Sequence, residues 1–152
     1  MTEYTDVQRS GFVSAEPAAV LPYLSDFHRW PGWSPWEGLD PNLERTYGGP
    51  EQGVGSTYAW SGNRKAGAGS MRVTEAGPDR VAIDLQFTRP FRSASQVEFA
   101  LREADGGTDV TWTMRTPKTL MSRVVGIFMN MERVIGNDLE KGLTQLQQAV
   151  GR

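Results

Sequence analysis

The chain has 152 residues, of which 38% are hydrophobic and 22% charged, with 16 Lys and Arg against 18 Asp and Glu, one His and no Cys. This length suits one domain over residues 1–152 and buries roughly 70% of the unfolded surface, enough for a real core. The missing Cys exclude disulfide scaffolds, thiol nucleophiles and Cys-based zinc sites; the single His excludes a multi-His metal site, and a formal charge of −2 argues against a nucleic-acid partner.

The N-terminus is polar and acidic and lacks the basic region and apolar run of an export signal. The stretch from Thr5 to Ala15 reads as a strand, with Val7, Phe12 and Val13 as its apolar positions. Ser14 is placed as a helix N-cap with Pro17 at an early helical position, and Ala18, Val20, Leu21 and Leu24 give a short helical face. The segment from Phe27 to Trp36 holds three Trp and two Pro, which allows only a brief helix or a turn-rich element.

From Asn42 to Pro117 the period changes to two. Tyr58 and Trp60, Met71 and Val73, Val81 to Phe87, Val97 to Leu101, and Val110 to Met114 each alternate with polar or small residues, the mark of strands with one buried face. The separators, among them Ala76-Gly-Pro-Asp and Ala104-Asp-Gly-Gly-Thr, are turn-forming, so about six strands should follow one another as an antiparallel meander. From about Lys118 to Val150 the spacing lengthens. Met121, Val125, Phe128, Ile135, Leu139, Leu143 and Leu146 fall on one stripe of a long amphipathic helix, the only element long enough to cover the sheet. The longest apolar stretch, around Val124 to Met129, is far below the ~20 residues that span a bilayer. No integral membrane segment is expected, and the location is expected to be cytoplasmic.

The run Asp26-Phe-His-Arg-Trp-Pro-Gly-Trp-Ser-Pro-Trp, then Gly53-Val-Gly-Ser-Thr-Tyr-Ala-Trp-Ser-Gly, Ala66-Gly-Ala-Gly-Ser-Met, Gly106-Gly-Thr-Asp-Val-Thr-Trp-Thr-Met, Met129-Asn-Met-Glu and Asp138-Leu-Glu-Lys-Gly-Leu-Thr-Gln-Leu form an ordered set. Together they resemble the bacterial polyketide cyclase/dehydrase-like branch of the START-related SRPBCC superfamily, from about Val7 to Val150. The resemblance implies an α+β helix-grip fold: a seven-stranded antiparallel sheet wrapped around a long C-terminal helix, with two short helices after strand 1. It implies an apolar cavity for a hydrophobic small molecule or lipid, and it does not by itself imply an activity. Many relatives carry an N-terminal membrane anchor. Here the first strand begins almost at Met1, so an anchored location is not carried over.

On such a sheet Trp33, Trp36, Tyr58, Trp60, Phe87, Phe99, Trp112 and Phe128 face inward or stand near the cavity mouth, as plain core or as a ligand-lining set. In the second reading the polar tips of Tyr58, Trp60 and Trp112 orient the ligand, and Met71, Met114 and Met131 add adaptable wall. Glu132 falls within about 20° of the middle of the helical stripe. It is either a structural carboxylate paired with a donor or the ligand-orienting or catalytic acid/base group, its neutral form favoured by desolvation. Gly126, Gly136 and Gly142 in the same helix either are tolerated or admit close neighbours. His28, beside Arg29 and Trp30, fits a surface or capping role, and Arg64, Lys65, Arg89, Arg92 and Arg115 fit a solvated rim from which one or two could reach Glu132.

Three functions follow. The first is binding or carriage of a hydrophobic small molecule. The second is a cyclase or dehydratase that confines an apolar carbonyl substrate, with Glu132 as acid/base and Tyr58 and Trp60 as positioning groups. The third is a co-chaperone-like interaction module with an exposed apolar patch. No cofactor or metal is expected, and monomer and homodimer both stay open.

Overall fold

The computed structural model describes residues 4–36, 40–64, 66–89, 92–117 and 131–150, without the side chains of Tyr4, Thr5, Pro117, Met131 and Glu132. Strand β1 (Tyr4–Val13) leads into helix α1 (Pro17–Ser25) and a 3-10 helix (Phe27–Gly32). Six strands follow: β2 (Glu44–Gly48), β3 (Thr57–Ser61), β4 (Ala68–Ala76), β5 (Arg80–Arg89), β6 (Ser93–Ala104) and β7 (Gly107–Pro117); the last described element is helix α2 (Met131–Val150). The part of the expected long helix before Met131 lies outside the described residues, as do Met121, Val125, Gly126 and Phe128.

All strand pairings are antiparallel. The sheet order is β1-β7-β6-β5-β4-β3-β2, a meander closed by the first strand lying beside the last. Turn chemistry sets the register. Ala104 pairs with Gly107, and between them Asp105 and Gly106 take φ values of 48° and 79°. Two consecutive left-handed residues match the twist of the flanking strands, and Asp-Gly adopts that conformation at little cost.

Alternation then sorts side chains into rows on the concave face. One row runs Val73, Ile83, Val97, Met114, Val7, and the next runs Val81, Phe99, Trp112, Arg9. Nearer the other end, Trp60, Gly69, Phe87 and Ser93 share a row, as do Tyr47, Tyr58, Met71, Leu85 and Ser95. The convex face is polar: Gln8 bonds Thr113, Ser10 bonds Thr111, and Arg115 pairs with Asp6.

Helix α2 covers the concave face chiefly along β1. Leu139, Leu143 and Leu146 are buried on its sheet side, each burial contributing about 1.5–3 kcal/mol. Glycines set the approach. A Cβ on Gly11 of β1 would stand 3.2 Å from Leu143, and one on Gly142 of α2 would stand 2.7 Å from Trp112. A Cβ on Gly136 would fall on the Arg9 guanidinium, which crosses the helix there and pairs with Glu140 at 3.4 Å. Both helical glycines therefore admit close neighbours.

Two sequence expectations change. Ser14 is not the N-cap of α1; Glu16 holds that position without a side-chain cap, Pro17 starts the helix, and the Ser14 N–H donates to Gln147 Oε1 at 2.7 Å. The three β2 residues that precede Tyr47 are all exposed, so its strand carries no burial alternation to read.

Candidate functional site

The end of α1 is where the site begins. Its last carbonyls have no partner within the helix and must find one elsewhere. The Asp26 N–H donates to Pro22 O at 3.1 Å and the Gly53 N–H to Ser25 O at 3.0 Å. The other two carbonyls take indoles: Trp33 Nε1 donates to Tyr23 O at 2.8 Å and Trp30 Nε1 to Leu24 O at 3.1 Å. The Trp-rich segment is thus folded back by its own donors, which turns Phe27, Trp30 and Trp33 into the concave face.

There they join a continuous aromatic series. Trp33 meets Trp112 at 5.5 Å and Phe99 at 6.0 Å, both edge to face, and Trp30 meets Phe99 at 6.1 Å. Phe27 bridges Trp30 at 5.5 Å to Tyr58 at 5.9 Å; Tyr58 continues to Trp60 at 6.0 Å, and Trp60 to Phe87 at 5.5 Å. At the helix end Trp36 packs on Trp112 at 5.5 Å and donates its Nε1 to Asp138 Oδ2 on α2 at 3.1 Å. Such pairs each contribute about 0.5–1.5 kcal/mol beyond burial.

Exposure grades along this series. Trp33, Phe99 and Trp112 are fully buried, Tyr58, Met71 and Met114 are buried less deeply, and Trp60 and Phe87 are only partly buried. The structure therefore brings the expected residues together as two joined groups. Trp33, Trp36, Phe99 and Trp112 form a packed group under α2. Tyr58, Trp60, Met71 and Phe87 line the concave face over β3 to β5, with Met114 in the neighbouring row beside Val97. Trp60 keeps its place by donating Nε1 to Ala66 O at 2.9 Å and lying over Gly69, where a Cβ would stand 2.7 Å from Cη2. Phe128 lies outside the described residues, as do the side chains of Met131 and Glu132; position 132 itself falls in the first turn of α2, one turn before Gly136.

Sequence reasoning passed over Phe27, Trp30 and Tyr47. Tyr47 pairs with Tyr58 across β2 and β3, ring to ring at 5.3 Å, and stacks on His28 at 4.1 Å. His28 is half exposed, its Nδ1 lies 2.9 Å from Asp26 Oδ1, and the same carboxylate oxygen accepts from the His28 N–H at 3.0 Å, capping the 3-10 helix. The expected rim is partly engaged: Arg89 donates to Ser61 Oγ at 2.9 Å, Arg115 pairs with Asp6 at 3.0 Å, Arg64 and Arg92 are exposed, and Lys65 lies outside the described residues. Among the described residues no three His, Asp or Glu side chains gather to hold a metal ion, and no helix is long and apolar enough to cross a membrane.

Solved structures share this architecture. A protein from Rhizobium leguminosarum superposes with a TM-score of 0.68 at 19% identity, over 100% of this chain and 97% of that one. DynU16, of the dynemicin biosynthetic locus, superposes with a TM-score of 0.62 at 16% identity, over 96% of this chain and 47% of its own. The Aha1 dimer of Colwellia psychrerythraea gives 0.52 at 20% identity, over 72% and 74%. Among curated proteins none matches the chain. The family profile described as polyketide cyclase / dehydrase and lipid transport matches residues 4–151. With a helix-grip sheet, a covering C-terminal helix and that match over nearly its whole length, the chain belongs to the polyketide cyclase / dehydrase and lipid transport family of the SRPBCC superfamily.

Proposed function

We propose that this protein binds a hydrophobic small molecule or lipid between the concave face of the sheet and α2, in the cytoplasm. The observation that carries the reading is the graded aromatic series, packed at Trp33, Phe99 and Trp112 and partly open at Trp60 and Phe87. A wall of rings with few polar groups favours an apolar guest, and the open end is the side from which one would enter. In this reading Tyr58, Trp60, Met71, Phe87 and Met114 contact the guest, and the buried group with Trp36 is its floor; Phe128 and the side chain of Met131, expected from the sequence to contact it too, lie outside what the structure describes. Cyclisation or dehydration of such a guest is the second reading. The family description favours it, and it needs little beyond confinement and one acid/base group, for which Glu132 is the candidate.

The test is titration with 1-anilinonaphthalene-8-sulfonate followed by displacement with fatty acids and aromatic polyketide mimics, alongside native mass spectrometry of protein purified from its host. Saturable, displaceable binding or a retained metabolite is expected. A linear, non-displaceable signal with a bare protein mass would remove the reading.

A further inference from the structure

The sheet separates the charges of the chain between its two ends. At the end that carries the Asp105-Gly106 turn stand the exposed Glu51, Asp79, Glu103 and Asp105. Arg80 is engaged there by Glu75 and Glu98, and Arg102 by Asp109. The opposite end is basic. Ser61 pairs with Ala68 and Ala68 with Arg89, so the turn that carries Arg64 lies next to Arg89; Arg92 immediately precedes Ser93, the partner of Phe87. Gln147, near the last turn of α2, accepts the Ser14 N–H at the acidic end, so the first turn of α2, with Arg133, lies toward the basic one. Arg64, Arg89, Arg92 and Arg133 are all exposed, and among the described residues none of the four pairs with a carboxylate. Arg89 donates instead to the neutral Ser61 Oγ and Gly62 O.

The acids at the basic end weigh less. Asp6 is taken by Arg115, Asp40 accepts the Asn42 and Asn63 N–H groups, and Glu44 is exposed beside Arg45. Even with Glu132 of the first helical turn counted, arginines outnumber acids there among the described residues. The formal charge of −2 therefore hides a molecule with two differently charged ends, and such a distribution orients it in front of a charged surface. Apolar groups are interleaved with these arginines. Trp60 and Phe87 are only partly buried, and Val134, next to Arg133, is 49% exposed. Exposed apolar side chains also occur toward the other end, at Phe12 and Val54, but there they stand among acids.

We propose that the end of the sheet marked by Arg64, Arg89, Arg92 and Arg133 docks on the surface of an anionic lipid bilayer. Guanidinium groups meet lipid phosphates with paired hydrogen bonds, and basic side chains are attracted to an anionic leaflet. An indole with its polar tip and apolar body settles at the headgroup level, which suits the partly buried Trp60. A soluble acidic protein or a nucleic acid would engage the arginines but would leave this interleaved apolar surface unused. The proposal goes beyond the ligand-binding reading and does not depend on it. Where both hold, docking sets the open side of the concave face against the membrane.

The experiment is co-sedimentation of the full chain with vesicles of phosphatidylcholine alone and of phosphatidylcholine mixed with phosphatidylglycerol. Binding is expected only to the mixed vesicles. Salt at about 1 M, where charges are screened within about 3 Å, should release most of the protein. An arginine near an anionic surface strengthens partition roughly fivefold, so the double variant Arg64→Gln/Arg92→Gln should bind roughly twenty-five-fold more weakly. Both side chains are exposed, so its Tm should stay that of the wild type. Arg102→Gln, at the acidic end, should bind as the wild type does. Brominated lipid in the mixed vesicles should quench tryptophan emission, and Trp60→Phe should lose most of that quenching. Absent or equal binding to the two vesicle types, or an undiminished partition of the double variant, would overturn the proposal. So would quenching that is unchanged in Trp60→Phe. Tighter binding to soluble polyglutamate than to the mixed vesicles would assign the face to an acidic protein instead. None of these outcomes bears on the dye titration above, so the two readings fail separately.

Discussion

Replacing Gly142 and Gly136 separately by Ala makes the same chemical change twice in α2 and should give opposite results. In a helix interior Ala is favoured over Gly by about 1 kcal/mol, so propensity alone stabilises both variants. At Gly142 the new Cβ would stand 2.7 Å from Trp112 Cζ3 and 2.9 Å from Pro35 Cδ, against an ordinary carbon–carbon contact of about 3.5–4.0 Å. Neither group can yield freely: Pro35 is buried, and Trp112 is held between Trp33, Trp36 and Phe99. Overpacking of this kind costs about 1–3 kcal/mol, which leaves Gly142→Ala destabilised by about 1 kcal/mol. At Gly136 the obstacle is the end of the Arg9 side chain. It can swing outward by giving up contacts that include an ion pair with Glu140, whose side chain is 60% exposed, and a hydrogen bond to Gln8 O at 2.8 Å, exposed interactions that contribute about 1 kcal/mol or less each. Gly136→Ala should therefore be neutral to slightly stabilised. The two variants should differ by about 1–2 kcal/mol, or about 2–8 °C in Tm for a chain of this size. Urea and thermal unfolding followed by circular dichroism measure this directly. A Gly142→Ala protein as stable as Gly136→Ala would refute the close packing of α2 on Trp112.

Two further outcomes test the site. Glu132→Gln keeps the size of the side chain and removes its charge; it should change ligand affinity, or the pH dependence of that affinity, more than it changes Tm. A large fall in Tm with normal binding would assign Glu132 a structural role. Gly69→Ala places a Cβ against Gln86 O and within 2.7 Å of the Trp60 ring, so it should destabilise by about 1–3 kcal/mol and shift Trp60 fluorescence, whereas Gly106→Ala, with open space around its Cβ, should leave that emission unchanged.

Most of the sheet was legible because each buried strand carries its own period. Val81 to Phe87 and Val97 to Leu101 alternate through to the structure without exception, and Asp105-Gly106 announces its hairpin. Strand β2 was not, because an exposed edge strand has no face to mark. The candidate site was half legible for a related reason. Period two assigns Tyr58, Trp60 and Trp112 to one face, but cannot say that Trp30 and Trp33 would be drawn under it by two carbonyls at the end of α1, a tertiary bond with no local signature.

The position of β1 has a consequence for how the molecule is assembled. The strands β2 to β7 are joined in sequence, and the β6–β7 turn needs only two residues. Pairing Val13 with Thr108 instead closes a loop of about ninety residues, which costs on the order of 3 kcal/mol more chain entropy than a two-residue turn. The meander can therefore form from neighbours alone, while its edge at β7 waits for β1 from far back along the chain. Helix α2, on the far side of the meander in sequence, rests chiefly on that same strand. Strand β1 and helix α2 thus depend on each other: until β1 docks, the helix that closes the interior lacks most of its support.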